Sequence, residues 1–166
     1  MRQGIIIFAD TPAPGSPAEQ ALKSAVEAGL ATQGVTTFLA YADANASQSL
    51  RKVVGGPPPR FFPQATRNTR GERMAQAFAF LFVQDFERVV LVIPNAVAPP
   101  SEHLAATLGQ LDDAPVVIES GASHTLVALR RADFPQVAAI FEDVAWEKPD
   151  AKENAERVLA EATSKS

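Results

Sequence analysis

Apolar and polar positions follow two different rhythms along this chain. GIIIFA (4–9), VTTFLAYA (35–42), VVLVI (89–93), APVVIE (114–119) and HTLVALRR (124–131) are short apolar runs rich in β-branched residues, as expected of strands covered on both faces. RFFPQ (60–64) is a sixth run, and Pro63 confines it to the edge of a sheet. The stretches between these runs have helical periodicity. Strand and helix in alternation predict a three-layer α/β/α sandwich whose sheet is largely parallel. Only SGAS separates the last two strands, so one of them, near Val127, is expected to run antiparallel.

Helix boundaries are written in the polar residues. Ser16-Pro17-Ala18-Glu19 is a capping box with proline at the first helical position, and Gly34 should end that helix after about Gln33. A short helix is expected to end near Val54, ahead of the rigid connector GGPPP (55–59). Thr69-Arg70-Gly71-Glu72 forms a second capping box, opening the helix ERMAQAFAFLFVQ (72–84). Met74, Phe78, Phe80, Leu81 and Phe82 make that helix apolar around most of its circumference, which means deep burial or, alternatively, a contact between like subunits. Ser101 is expected to cap EHLAATLGQL (102–111), Asp133 and Pro135 to start a short helix, and Pro149 to open the last one. Trp146 falls in a loop, where packing is the expected role for the only tryptophan.

Composition narrows the function. A chain of 166 residues suits one domain, spanning 1–166. The net charge of −4 argues against nucleic-acid partners, and the absence of cysteine removes thiolate nucleophiles and cysteine metal sites. The N-terminal apolar run is only five residues long, too short for a signal-peptide core, and no segment approaches a membrane span, so a cytoplasmic location without membrane partners is expected.

In order, IIIFADTPAPG, GERMAQAF, ERVVLVI, APVVI with LVALRR, and IFEDVAWEKP resemble bacterial nucleotide-diphospho-sugar glycosyltransferases of GT-A fold, long catalogued as a domain of unknown function. Some members are annotated for arsenosugar biosynthesis, and the fold is shared with molybdenum-cofactor guanylyltransferases. The resemblance implies a GT-A fold, a nucleotide or nucleotide-sugar ligand and, in an active member, Mg2+ or Mn2+. It also marks departures. A lysine usual after the Phe-Ala pair is Asp10, and a Lys-Thr-Arg-Leu run is replaced by Ala18, Glu19, Gln20 and Ala21. The Gly-Ser-Asp-Cys-Pro that typically ends the fourth strand has become Pro94 and Asn95 at its serine and aspartate. The usual Asp-Gly-Gly before two aromatics is shortened to ESGASHT, with His124-Thr125 at the aromatic positions.

Asp10, Asn95 and Glu119 each fall at the carboxyl end of an expected strand and are the candidate catalytic or cation-holding trio; the competing reading makes Asp10 and Glu119 solvated loop acids. Pro12 and Gly15 belong to a rigid PAPG loop that matches neither a Walker nor a Rossmann spacing, and in the resembled family that loop covers the nucleotide. Arg70, Gly71 and Arg73, with Arg60 and Arg67 nearby, are candidates for phosphate contact at a helix start, or else Glu72 and Arg73 make structural ion pairs. His124 is an acid/base candidate or a hydrogen-bonded structural residue, with no acid evidently placed to orient it; His103 reads as a solvated helix residue. Ser120, Ser123 and Thr125 near His124 lack a nucleophile-elbow spacing. Two functions follow: a glycosyltransferase-like protein whose catalysis is impaired or lost, or a non-catalytic module binding a ligand or protein on the same fold.

Overall fold

The computed structural model describes residues 1–9, 15–42, 59–64 and 69–164. A six-stranded sheet in the order β3-β2-β1-β4-β6-β5 forms the middle layer. Its strands are β1 (Arg2–Ala9), β2 (Val35–Tyr41), β3 (Arg60–Pro63), β4 (Phe86–Pro94), β5 (Val116–Glu119) and β6 (His124–Arg130). β6 alone runs antiparallel, lying between β4 and β5. The remaining pairings are parallel. The proline-bearing β3 occupies an edge, where its missing donor costs no ladder bond.

Side-chain alternation along the strands divides the core into two layers. Ile6 and Phe8 of β1 join Leu91, Val127 and Leu129 on one face, where α2 (Arg70–Phe82), α4 (Phe134–Val137), α5 (Ala139–Asp143) and α6 (Ala151–Ser164) pack. Ile5, Ile7 and Ala9 join Val90, Val92 and Leu126 on the other, under α1 (Pro17–Ala31) and α3 (Ser101–Gln110). Every side chain of Ile5, Ile6 and Ile7 is fully buried, which explains the unbroken apolar run: both faces of this strand are inside.

The N-cap half of each capping box forms. Ser16 Oγ accepts from Glu19 N, and Thr69 Oγ1 from Glu72 N, each at 3.2 Å. Gly34 has φ +77°, the left-handed conformation that lets the chain turn from α1 into β2. Some boundaries differ from the sequence reading: α1 ends at Ala31 rather than about Gln33, and α2 at Phe82 rather than Gln84. Ser101 is the first residue of α3 rather than its cap; Pro100 precedes the helix and there is no side-chain cap bond. The short helix expected from Asp133 and Pro135 forms as α4, with Asp133 at its N-cap behind a 3-10 turn (Arg131–Asp133), whereas α6 begins at Ala151, two residues after Pro149. The helix expected near Val54 and most of GGPPP lie outside the described residues.

On α2, Met74, Phe78, Leu81 and Phe82 are buried, whereas Phe80 is 44% exposed beside Val83 at 82%. Burial therefore accounts for most of that helix, and Phe80 and Val83 remain as a small apolar patch. Trp146 packs in the core, its Nε1 donating to Ile140 O at 3.0 Å. Among the described residues no helix is long and apolar enough to cross a membrane.

Candidate functional site

Sheet topology gathers the ends of β1 to β5 and the start of β6 along one edge, because β6 enters where its neighbours leave. In open α/β sheets this is the edge that holds ligands. It divides here into two groups of polar side chains.

One group lies over β1–β3. Gln64 follows β3 and is only 5% exposed. Its backbone N–H donates to Tyr41 O at 2.8 Å, and its Nε2 donates to Ala40 O at 2.8 Å and Ala9 O at 3.2 Å. One amide thus ties together the carboxyl ends of three strands. Its Oε1 accepts from Arg73 Nη1 at 2.9 Å, while the Arg73 guanidinium carbon sits 6.0 Å from the centre of the Phe8 ring. Arg73 Nε is buried and has no hydrogen-bond partner among the described residues. A buried donor left unpaired costs free energy, and an acceptor at this point would remove that cost. Gln64 and Arg73 open onto a cleft of about 290 Å³ bordered also by Phe62, Gln76 and Phe80.

Arg70 and Gly71 open α2 in the same region. Gly71 is buried against α5: a Cβ built on it would lie 2.0 Å from Phe141 O and 3.2 Å from Trp146 Cδ1. The GERM word therefore carries a packing requirement in its glycine and a cleft-lining cation in its arginine. Gly15, with φ +74°, precedes α1, and its N–H donates to Glu19 Oε1 at 3.3 Å. Asp10, Pro12 and Arg67 lie outside the described residues.

The second group lies over β4–β6. Glu119 ends β5 and His124 begins β6. Glu119 pairs with Leu126 across the ladder, and His124 precedes Leu126 by two residues on β6, so both side chains project to the face covered by α3. His103, in the first turn of α3, meets them there. Its Nε2 lies 2.7 and 2.9 Å from the two Glu119 oxygens, and His124 Nε2 lies 3.0 Å from Oε1. The far end of α3 is anchored too. Arg88 and Arg130, register partners on β4 and β6, donate to Leu108 O and Leu111 O at 3.0 and 3.1 Å. They also pair with Asp112 and Asp133. Cations on the last carbonyls of a helix are favourable, and here they fix the position of α3 relative to the sheet.

Burial on its own would raise the Glu119 carboxyl, but hydrogen bonds from His124 and His103, with the charge those rings carry when protonated, hold it below its ordinary value. Glu119 is thus an ionised acceptor shared by two imidazoles.

Asn95 is exposed at the end of β4. The backbone N–H groups of Asn95, Ala96 and Val97 all donate to Ser123 O, at 3.0, 2.9 and 3.2 Å. Successive N–H groups of this sort commonly cradle an anion, and in this loop the carbonyl of the β5–β6 turn takes that place. Mg2+ prefers an all-oxygen, carboxylate-bearing shell. The neutral Asn95 and the imidazole-bound Glu119 do not supply one.

Two readings of the histidines change. His103 is half-buried and bonded to Glu119, not a solvated helix residue, and His124 does have an acid to orient it. The signal for His103 was the stripe Leu104, Thr107, Leu108 and Leu111, all buried, because His103 stands at the head of that stripe with Thr107 one turn on.

No family model and no curated protein matches this sequence. Solved structures do match the fold. A provisionally assigned nucleotide-diphospho-sugar transferase from Desulfovibrio desulfuricans superposes with a TM-score of 0.77 at 21% identity, over 98% of this chain and 78% of that one. A 4-diphosphocytidyl-2C-methyl-D-erythritol synthase from Anaerococcus prevotii gives 0.60 at 12% identity, over 85% and 74%. A cytidylyltransferase from Leptospira borgpetersenii gives 0.59 at 12%, over 96% and 74%. The mixed sheet with one reversed strand, flanked by helices on both faces, is thus the GT-A, nucleotide-diphospho-sugar-transferase fold.

Proposed function

We propose that this protein is a single-domain, cytoplasmic, glycosyltransferase-like protein that binds a nucleotide or nucleotide-sugar along the β1–β3 edge, and whose metal-assisted catalysis is impaired. The observation that carries the ligand class is Arg73, a guanidinium held by Gln64 with a buried Nε–H that has no partner among the described residues. A phosphate oxygen is a fitting acceptor for such a donor. In this reading Arg70, Gly71 and Arg73 form the phosphate side, Pro12 and Gly15 the covering loop, and Asn95 the vacated acid position. Asp10 and Glu119 are the acids that remain, and His124 lies beside the ligand edge. Impairment follows from charge: an amide at the metal position brings no negative charge to a divalent cation.

A non-catalytic binding module is the second reading, and the exposed Phe80 and Val83 on α2 favour it. Such a patch suits a protein partner or a second copy of this chain.

Thermal unfolding with a panel of nucleotides and nucleotide-sugars, with and without Mn2+ or Mg2+, tests these readings. A ligand that binds only the folded state raises Tm with its saturation. A rise with a nucleotide that is abolished by Arg73→Met supports the proposal. A flat panel at millimolar ligand overturns it in favour of the second reading, and light scattering over a concentration series then separates self-association from an external partner.

A further inference from the structure

We propose that His103, Glu119 and His124 form a binding site for a transition-metal dication of the zinc class. Its donors differ from the aspartate that the resembled family carries where this chain has Asn95. The two imidazole Nε2 atoms and a Glu119 oxygen lie within 4.8 Å of one another. They come from three elements, α3, β5 and β6, and converge because α3 is anchored to the sheet at its opposite end by Arg88 and Arg130. Two imidazoles and one carboxylate are the donor set of three-ligand zinc sites and of facial-triad sites, and are poorly matched to Mg2+ or Ca2+.

Tetrahedral zinc with bonds of about 2.0–2.2 Å keeps its ligand atoms about 3.3 Å apart. The two histidine-to-Glu119 separations, 2.7 to 3.0 Å, would have to open, and the two ring nitrogens, within 4.8 Å of each other, would have to settle at the same spacing. Side-chain rotation supplies that. The carboxylate is acceptor-only, so each Nε2 now presents a hydrogen to it. A metal would take the Nε2 lone pair in place of that hydrogen, the proton passing to Nδ1 of the ring or to solvent. With side-chain exposures of 37% for His103, 31% for Glu119 and 20% for His124, a fourth position remains open to water or to a ligand oxygen. A metal here would supply cationic charge at the β4–β6 half of the ligand edge.

The test uses untagged, chelator-treated full-length protein titrated with Zn2+ and with Co2+ as a spectroscopic substitute, and no nucleotide. Its failure is therefore independent of the ligand reading above. The expected result is one equivalent bound, a visible Co2+ spectrum of low coordination number displaced by Zn2+, and a raised Tm. Glu119→Gln and the pair His103→Ala with His124→Ala should lose all three, whereas Glu102→Gln, on the neighbouring exposed position of α3, should keep them. The wild type gives a readout that needs no folded variant. The chain has only two histidines, so two Nε2 resonances in an imidazole 15N spectrum should move on adding Zn2+. Unmoved resonances at stoichiometric and at millimolar Zn2+ would overturn the proposal. So would a Co2+ spectrum that survives loss of both histidines.

Discussion

Replacing Gly71 with alanine adds one methyl group where the backbone of α5 already stands. Its Cβ would sit 2.0 Å from Phe141 O and 2.9 Å from Phe141 C, against the 3.4 Å at which ordinary contact begins. Neither atom belongs to a flexible side chain, so α2 must retreat from α5 by about 1.4 Å, enough to loosen the packing among Phe78, Phe141 and Trp146. Overpacking costs typically about 1–3 kcal/mol, and a clash with backbone belongs at the upper end, about 3 kcal/mol. For a chain of this size that is a fall in Tm of about 6–12 °C. Gly109→Ala is the internal control. Gly109 lies in α3 with no atom within 4 Å of its added Cβ, so the same change should stabilise by about 0.5–1 kcal/mol through helix propensity. Urea unfolding followed by circular dichroism measures both. A Gly71→Ala cost below about 0.5 kcal/mol, the range of an ordinary surface change, would refute the α2–α5 contact.

Arg73→Met removes the donor to a buried amide oxygen and should cost about 1–3 kcal/mol in urea unfolding, in addition to its effect on nucleotide binding. Stability equal to wild type would mean that Gln64 does not depend on Arg73. Trp146→Phe strands the carbonyl of Ile140 and should cost about 1–3 kcal/mol, read by circular dichroism because the only tryptophan is then gone. Asn95→Asp should increase the Tm gained from Mn2+ in the presence of nucleotide; an unchanged gain would dismiss this strand end as the metal position.

Much of the fold was legible because burial on both faces and burial on one stripe leave different periods in a sequence. Ile5 to Ile7 signalled a central strand without alternation, and the four residues between Glu119 and His124 left room only for a reversal. The capping boxes at Ser16 and Thr69 were readable because each bond spans three residues. The second half of the site was not. His103 and Glu119 are sixteen positions apart, on a helix and an edge strand; the stripe from Leu104 to Leu111 sets the inner face of the helix, but nothing local says that an acid on another element meets His103 there. Gln64 escaped notice for the same reason, since its partners at Ala9 and Ala40 are main-chain atoms with no side-chain signature. The helix starts at Ser101 and Ala151 were misplaced by one or two residues because prolines bound a helix without saying which neighbour is its first turn.

The reversed strand has a consequence for how this scaffold could diversify. β6 enters the sheet at the ligand edge, so residues 120–123 are the sole link between two strands whose pairing is set elsewhere, by Val116 to Glu119 against Leu126 to Leu129. Lengthening that link would build new surface directly over the crevice while leaving every strand in register. Recognition at this edge can therefore drift through insertions in one hairpin, with the hydrophobic layers beneath unaffected.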